Sequence, residues 1–243
     1  MAHDWFTLDE LARNLGRDRR DLEKQVQRGR IPAHKRQGEW FFQSAEITQW
    51  LEQEMRGYSE SQLAALEQAQ NSSEVSATVP ISTLLRPETI QIPLEARTKR
   101  STLESLVEVA GRTWKIWEPA TVLKAVLERE ALHSTALENG VALPHPRQPL
   151  PDAVGEPVIS FGRTSNAISW GATNNAPSDL FFLIVCRDTR THLQVMARLS
   201  RMVQQPAFLE RLRQADTAFA AHAAILDAEQ QSPITRSEGD RRT

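Results

Sequence analysis

A histidine stands between two prolines in the segment NGVALPHPR, residues 139–147. Pro144 and Pro146 fix φ at their own positions. They also push Leu143 and His145 out of helical geometry. The imidazole of His145 is therefore predicted on a stiff, extended segment at the end of a short strand. Such a group can be a nucleophile, an acid–base group, a metal ligand or a structural residue, and these residues alone leave that choice open. A second chemical feature lies near the start of the chain. Between Arg13 and Arg36 stand nine basic residues (Arg13, Arg17, Arg19, Arg20, Lys24, Arg28, Arg30, Lys35, Arg36) against Asp18, Asp21 and Glu23, a local charge of +6. A cluster of this kind contacts phosphates with salt-sensitive affinity. The net charge of −2 gives no global pull toward nucleic acid. Cys186 is the sole cysteine, so no intrachain disulfide forms; in LFFLIVC it reads as a buried thiol. His133, His145 and His192 do not have metal-ligand spacing, and His3, His34 and His222 carry no site pattern.

The elements that must position these groups follow from periodicity. Thr7 and Glu10 form a capping box, Leu8, Leu11, Ala12 and Leu15 follow at helical spacing, and Gly16 closes the helix. A second helix is predicted from Arg17 to Arg28, with Leu22 and Val26 inward. RIPAHKRQGEWFF reads as two short strands around a Gln37–Gly38 turn. Ser44 caps a third helix with Ile47, Trp50 and Leu51 inward. Residues 57–80 are rich in Ser, Gln, Glu and Ala, and are expected to be helical at first and then a linker. If that helix is exposed, Leu63 and Leu66 are available for a contact between two copies. From Ile81 onward ETIQIPL, VAL, AVGEPVISF and DLFFLIVC read as strands, the last apolar enough to be covered on both faces. Helices are expected at TKRSTLESLVEVAG, after Pro119, and over residues 191–203, 207–213 and 217–226. The mixture predicts an α/β sandwich. The expected organisation is residues 1–56, a linker 57–80, a second domain 81–226 and a polar, disordered tail 227–243. An acidic start without an apolar core, and no apolar run of about 20 residues, lead us to expect a cytoplasmic protein with no membrane segment.

The first 55 residues resemble the excisionase and MerR-like helix-turn-helix module. The matching residues are TLDELARNLG, the GRIP at Gly29–Pro32 and the GEWFF at Gly38–Phe42. The resemblance implies a small winged helix-turn-helix in which the second helix enters the DNA major groove and the wing follows the backbone. Arg17, Arg19, Arg20, Lys24 and Arg28 then belong to the helix region, and Lys35 and Arg36 to the wing. Asp21 and Glu23, interleaved on that helix, repel phosphates.

EREALHSTALENGVALPHPR resembles the active-site segment of the type 2 enzyme IIA domains of the sugar phosphotransferase system, a group with fructose, mannitol and nitrogen-related branches. The matching residues are Arg129, Glu130, Ser134, Thr135 and the run Gly140–His145, followed by His192 at the opening of a later helix. The resemblance covers residues 81–226 and implies an α/β sandwich with a mixed sheet. It implies that His145 is a transient phospho-acceptor that needs no cofactor or metal. His192 and Arg129 then face the phosphoryl oxygens, with Ser134 and Thr135 as further hydroxyl donors; Arg129 can equally pair with a carboxylate of the same domain. The implied donor is a phosphohistidine carrier protein, and the implied target a IIB domain or a regulatory protein. The loop STALENG departs from the family, since Ala136 and Glu138 replace glycines and Pro146 follows the histidine. Together the modules predict a phosphotransferase-linked DNA-binding regulator. The alternatives are a soluble phosphocarrier without DNA binding, and a non-phosphorylated interaction protein with the same fold.

Overall fold

A computed structural model describes residues 5–71 and 79–231. The second half of the expected linker, residues 72–78, and the tail from 232 on lie outside the described residues. β1 (Trp5–Thr7) leads into α1 (Leu8–Leu15) through the capping box: Glu10 N–H donates to Thr7 Oγ1 at 3.3 Å, and Thr7 N–H to Glu10 Oε2 at 2.8 Å. Gly16 ends α1 at φ +61°, a conformation that costs glycine little. Asp18 caps α2 (Arg19–Gln27) through Arg20 N and Asp21 N. β2 (His34–Arg36) and β3 (Glu39–Gln43) form the wing hairpin, and the small sheet runs β1-β3-β2, all antiparallel. In α3 (Ser44–Glu54) the cap position falls on Gln43, with Ser44 as the first helical residue.

α4 (Glu60–Asn71) packs along a helix of the second domain, α8 (Thr189–Val203). Leu63 and Leu66 are buried in this contact, so they belong to the chain's own core and are not free for a second copy. Burying each contributes about 1.5–3 kcal/mol. Beside them Glu67, with no exposed surface, pairs with Arg198 and, at 3.3 Å, with Arg201.

The second domain continues through α5 (Ile81–Leu84), β4 (Ile90–Gln91), α6 (Lys99–Gly111), α7 (Pro119–Leu132), β5 (Val141–Ala142), β6 (Val158–Ile168), β7 (Ser178–Val185), α8, α9 (Pro206–Gln214) and α10 (Ala218–Gln231). Its sheet has the order β4-β6-β7-β5. The outer pairs β4/β6 and β5/β7 are parallel, and the central pair β6/β7 is antiparallel. The molecule is thus a helix-turn-helix module joined to a mixed-sheet α/β domain. Alternation along β7 sends Leu180, Phe182 and Ile184 into one core, and Phe181, Leu183 and Val185 into the other. The second core is closed by Leu103 and Leu106 of α6 and Val122 and Val126 of α7. The first runs without a break through Met196 and Leu199 of α8 to Leu51, Met55 and Leu63. One apolar core therefore joins the two modules.

Three elements differ from the sequence expectation. The strand expected at AVGEPVISF begins only at Val158 and runs on to Ile168. The strand expected at ETIQIPL shrinks to two residues, because a 3-10 turn takes Pro87–Thr89. The last helix continues to Gln231, so residues 227–231 are not tail. The continuation is held by Glu229, whose carboxylate accepts hydrogen bonds from Ile81 N–H, Ser82 N–H and Ser82 Oγ–H.

Candidate functional site

His145 leaves the end of β5 on backbone that is pinned from two sides. Leu143 N–H donates to Thr135 O at 3.1 Å, and Ile184 N–H of β7 donates to Pro144 O at 2.9 Å. The turn before β5 needs Gly140 at φ +86°; a Cβ there would stand 2.7 Å from Arg213 Nη2 and 3.0 Å from Asp179 Oδ1. The imidazole Nδ1 lies 2.7 Å from Leu143 O. A carbonyl only accepts, so the proton is on Nδ1 and the functional nitrogen is Nε2. His145 is buried, and its ring centroid is 5.2 Å from that of His192. His192 is placed by α8, which Asp188 caps through Thr191 N–H at 2.8 Å.

A residue absent from the sequence reading occupies the centre of the site. Glu52, on α3 of the helix-turn-helix module, reaches between the two imidazoles. Its Oε1 is 2.9 Å from His192 Nε2, and its Oε2 is 3.0 Å from His145 Nε2 and 3.2 Å from Arg129 Nη2. The contact with His145 is an ion-pair distance without hydrogen-bond alignment, whereas that with His192 is a hydrogen bond. Burial by itself raises the Glu52 carboxyl. The neighbouring imidazoles, His145 and then His192, outweigh burial and hold it far below the ordinary carboxylate range, so it is ionised. His192 is held below its ordinary value chiefly by burial, against the opposing pull of Glu52. A carboxylate only accepts, so His192 Nε2–H is the donor to Glu52. Three ligand atoms of Glu52, His145 and His192 lie within 4.8 Å of one another, a separation that a cation also fits. Here Arg129 supplies the positive charge to Glu52.

Arg129, on the last turn of α7, is nearly fully buried. Its Nη1 donates to His133 O at 2.9 Å, and its Nε has no hydrogen-bond partner. The pairing of Arg129 with a carboxylate was foreseen, but the carboxylate comes from the other module. Ser134 and Thr135 are differently engaged from the expectation of free donors. Ser134 Oγ–H donates to Trp170 O at 2.7 Å, and Thr135 Oγ1–H donates to Glu130 Oε2 at 2.5 Å. Both hydroxyls therefore fix the loop. Ala136 and Glu138 are absent from the residues with positive φ, so neither position demands glycine; Glu138 is exposed. A cavity of about 550 Å³ opens beside His145, lined by Met55, Arg56, Arg129, Thr135, Leu137 and Met196, among others. Arg56 also crosses between the modules, donating to Ser134 O.

The basic cluster is on the surface. Arg19 is paired with Asp9 at 2.6 Å and Glu23 at 3.5 Å, and Lys24 with Asp21 at 3.4 Å. The two acids that were expected to repel phosphates are thereby neutralised. Arg17 folds back over the Tyr58 ring at 4.8 Å. Arg36 lies over Trp5 at 4.0 Å and Lys35 over Trp40 at 5.4 Å, which ties the wing cations to aromatic faces. Arg20 and Arg28 are exposed, and make no ion pair among the described residues.

The family model for the phosphoenolpyruvate-dependent sugar phosphotransferase system, EIIA 2, matches residues 83–228, and that for a helix-turn-helix domain matches residues 5–55. The fructose-specific EIIA component of Haloferax volcanii is 30% identical over 139 residues, covering 56% of this chain and 88% of that protein. The nitrogen regulatory protein of Escherichia coli is 29% identical over 154 residues, covering 63% and 93%. Against the fructose-specific EIIABC component of Bacillus subtilis, at 27% identity, the chain spans only 21% of that protein. Among solved structures, nitrogen regulatory protein IIA-Ntr from Neisseria meningitidis superposes with a TM-score of 0.55 at 26% identity, covering 60% of this chain and 98% of that one. The mannitol IIA from Escherichia coli, at 22% identity and a TM-score of 0.51, shares the fold. Among the described residues, no helix is long and apolar enough to cross a membrane.

Proposed function

Because the chain belongs to the type 2 enzyme IIA family of the phosphoenolpyruvate-dependent sugar phosphotransferase system, we propose that it is a phosphotransferase-linked regulator: His145 accepts a phosphoryl group, and the helix-turn-helix module binds DNA. The observation that carries the reading is the orientation of His145. Nδ1–H is committed to Leu143 O, and Nε2 faces the Glu52 carboxylate that also holds His192 and Arg129, beside a pocket that leads outward.

The transfer balances without an outside proton. The Nε2 lone pair bonds to the phosphorus of a phosphohistidine on the donor carrier protein. The donor's P–N bond breaks, and its electron pair returns to the donor nitrogen. The proton on His145 Nδ1 stays where it is, and the donor ring keeps its own. Such chemistry depends on in-line placement and charge stabilisation. In this reading His192 Nε2–H and the Arg129 guanidinium, both held on Glu52 in the docked state, bond the phosphoryl oxygens once His145 is modified. Ser134, Thr135 and Glu130 keep the loop in register with β5. The relatives named nitrogen regulatory proteins favour a regulatory role over a transport component. The phosphorylated target, whether a IIB domain or a regulatory protein, and assembly into a homodimer are further parts of this reading, as is a cytoplasmic location.

On the DNA side, Arg20 and Arg28 of the α2 region and Lys35 and Arg36 of the wing are the phosphate contacts. Arg17, Arg19 and Lys24 reach DNA only by giving up Tyr58, Asp9 and Asp21. The test selects duplexes from a random pool with the full chain, then measures affinity before and after treatment with a phosphorylated histidine carrier protein. The proposal expects saltable, sequence-selective binding that changes with phosphorylation. Binding at the level of an Arg20→Ala/Arg28→Ala variant, in both states, contradicts it.

A further inference from the structure

We infer that Glu52 is an internal stand-in for the phosphoryl group: the helix-turn-helix module caps the acceptor site, and phosphorylation of His145 and docking of α3 exclude each other. The inference rests on the reading of His145 as the acceptor and adds the regulation of that site. A carboxylate shares the features of a phosphoryl group that matter here, namely negative charge and several acceptor oxygens on one centre. Glu52 satisfies the same three groups that a phosphoryl on Nε2 would need: His145, His192 and Arg129. It comes from the other module, and it is the only carboxylate that reaches both imidazoles among the described residues.

Two physical arguments make the states exclusive. The first is space. A covalent P–N bond is shorter than the 3.0 Å from Nε2 to Glu52 Oε2, so phosphorus and this oxygen compete for one position. The second is charge. A phosphoryl group adds about −1.5 to −2, and a second anion in a buried pocket is repelled at close range. The docked carboxylate also disarms the nucleophile. With Nδ1–H held by Leu143 O, Nε2 is the ring's nucleophilic atom, and Glu52 Oε2 stands 3.0 Å from it. An incoming phosphorus needs that approach, so attack waits until Glu52 withdraws. Withdrawal also removes Arg56, about one helical turn further along the same segment, from Ser134 O, and opens the cavity beside His145 to a donor protein. After transfer, His192 and Arg129 hold the phosphoryl oxygens and α3 has no site to return to.

The test uses the full chain as wild type, Glu52→Ala and Glu52→Gln, with a phosphorylated histidine carrier protein as donor and His145 labelling read by intact mass. The expected result is initial labelling at least tenfold faster in both variants than in wild type. A second readout avoids dependence on the fold of the variants: hydrogen exchange of α3 amides in wild type, which is expected to speed up once His145 is phosphorylated. Wild type that labels as fast as or faster than the variants, or labelled wild type with unchanged α3 protection, overturns the inference while leaving His145 as the acceptor. No label on any form, beside an enzyme IIA control that labels, overturns the acceptor reading itself.

Discussion

Glu67 fastens the two modules together, and its removal has a calculable effect. The carboxylate has no exposed surface and sits between Arg198 and Arg201 of α8, which are themselves nearly buried. Burial raises its carboxyl, and the two guanidiniums pull it back only in part. Glu67→Ala deletes the negative centre and leaves two cations in an apolar contact. Breaking a buried ion pair from one side costs about 3–5 kcal/mol. Arg198 keeps Glu229 at 3.2 Å, which places the expected loss near the lower end, about 3 kcal/mol. For a chain of this size a urea m-value of about 3 kcal/mol/M makes that a fall of about 1 M in the midpoint. Glu67→Gln keeps an acceptor for Arg198 and loses about half as much. The assay is urea unfolding followed by tryptophan fluorescence and circular dichroism, wild type against both variants. A Glu67→Ala midpoint within about 0.2 M of wild type at unchanged m would refute the claim that this buried pair ties α4 to α8.

Gly140→Ala forces a side chain into φ +86° and against Arg213 and Asp179; the expected cost is about 2 kcal/mol, together with slower labelling of His145, and full stability at wild-type labelling would contradict the assigned turn. Acid is expected to undock α3. The docked Glu52 carboxyl lies far below its ordinary value, so its contribution is present above that value and lost as pH falls through the docked pKa. His192 is also lowered, so its contribution is present above about 6.5 and lost as pH falls. Between pH 7.5 and pH 5 the loss therefore comes from His192, and Glu52 adds to it only below the ordinary carboxylate range; α3 protection factors are expected to be lower at pH 5 than at pH 7.5, and equal protection would count against the docked assignment. Glu67 has the opposite sign, since a raised carboxyl stabilises below its ordinary value and loses this as pH rises, so the readout must be local to α3. For DNA, Arg20→Ala and Arg28→Ala should each lower the log–log salt slope by about 1, with a smaller change for Arg19→Ala because Asp9 and Glu23 already hold that guanidinium. An unchanged slope in the Arg20/Arg28 double variant removes these residues from the interface.

Features set by neighbours in sequence were legible. The Thr7/Glu10 capping box, the left-handed Gly16 and the proline-stiffened segment around His145 each follow from residues within a few positions. The covered strand β7 was readable from its unbroken apolar run. Glu52 was not, because Arg129 and His192 lie 77 and 140 positions away. One sequence signal did exist. Ile47, Thr48, Leu51, Glu52 and Met55 share the buried arc of α3 and its continuation, and a glutamate inside that arc must find a buried partner. The reading of Leu63 and Leu66 as an intermolecular stripe failed for a related reason. The amphipathic face of α4 is filled by α8, an element separated from it by most of the second domain. Ser134 and Thr135 lie beside the site, but their protons go to Trp170 and Glu130. Hydroxyl commitments of this sort depend on tertiary contacts that spacing does not encode.

The most direct test of the central claim is site-resolved phosphorylation. Full-length wild type, His145→Ala, His192→Ala and Glu52→Ala are incubated with a phosphorylated histidine carrier protein, and the modified residue is located by mass spectrometry under conditions that preserve phosphohistidine. The account predicts one acid-labile phosphoryl group on His145 in wild type, none in His145→Ala, and slow labelling of the same residue in His192→Ala. Label that persists in His145→Ala, or no label on wild type and none on Glu52→Ala while an enzyme IIA control is modified, would contradict it.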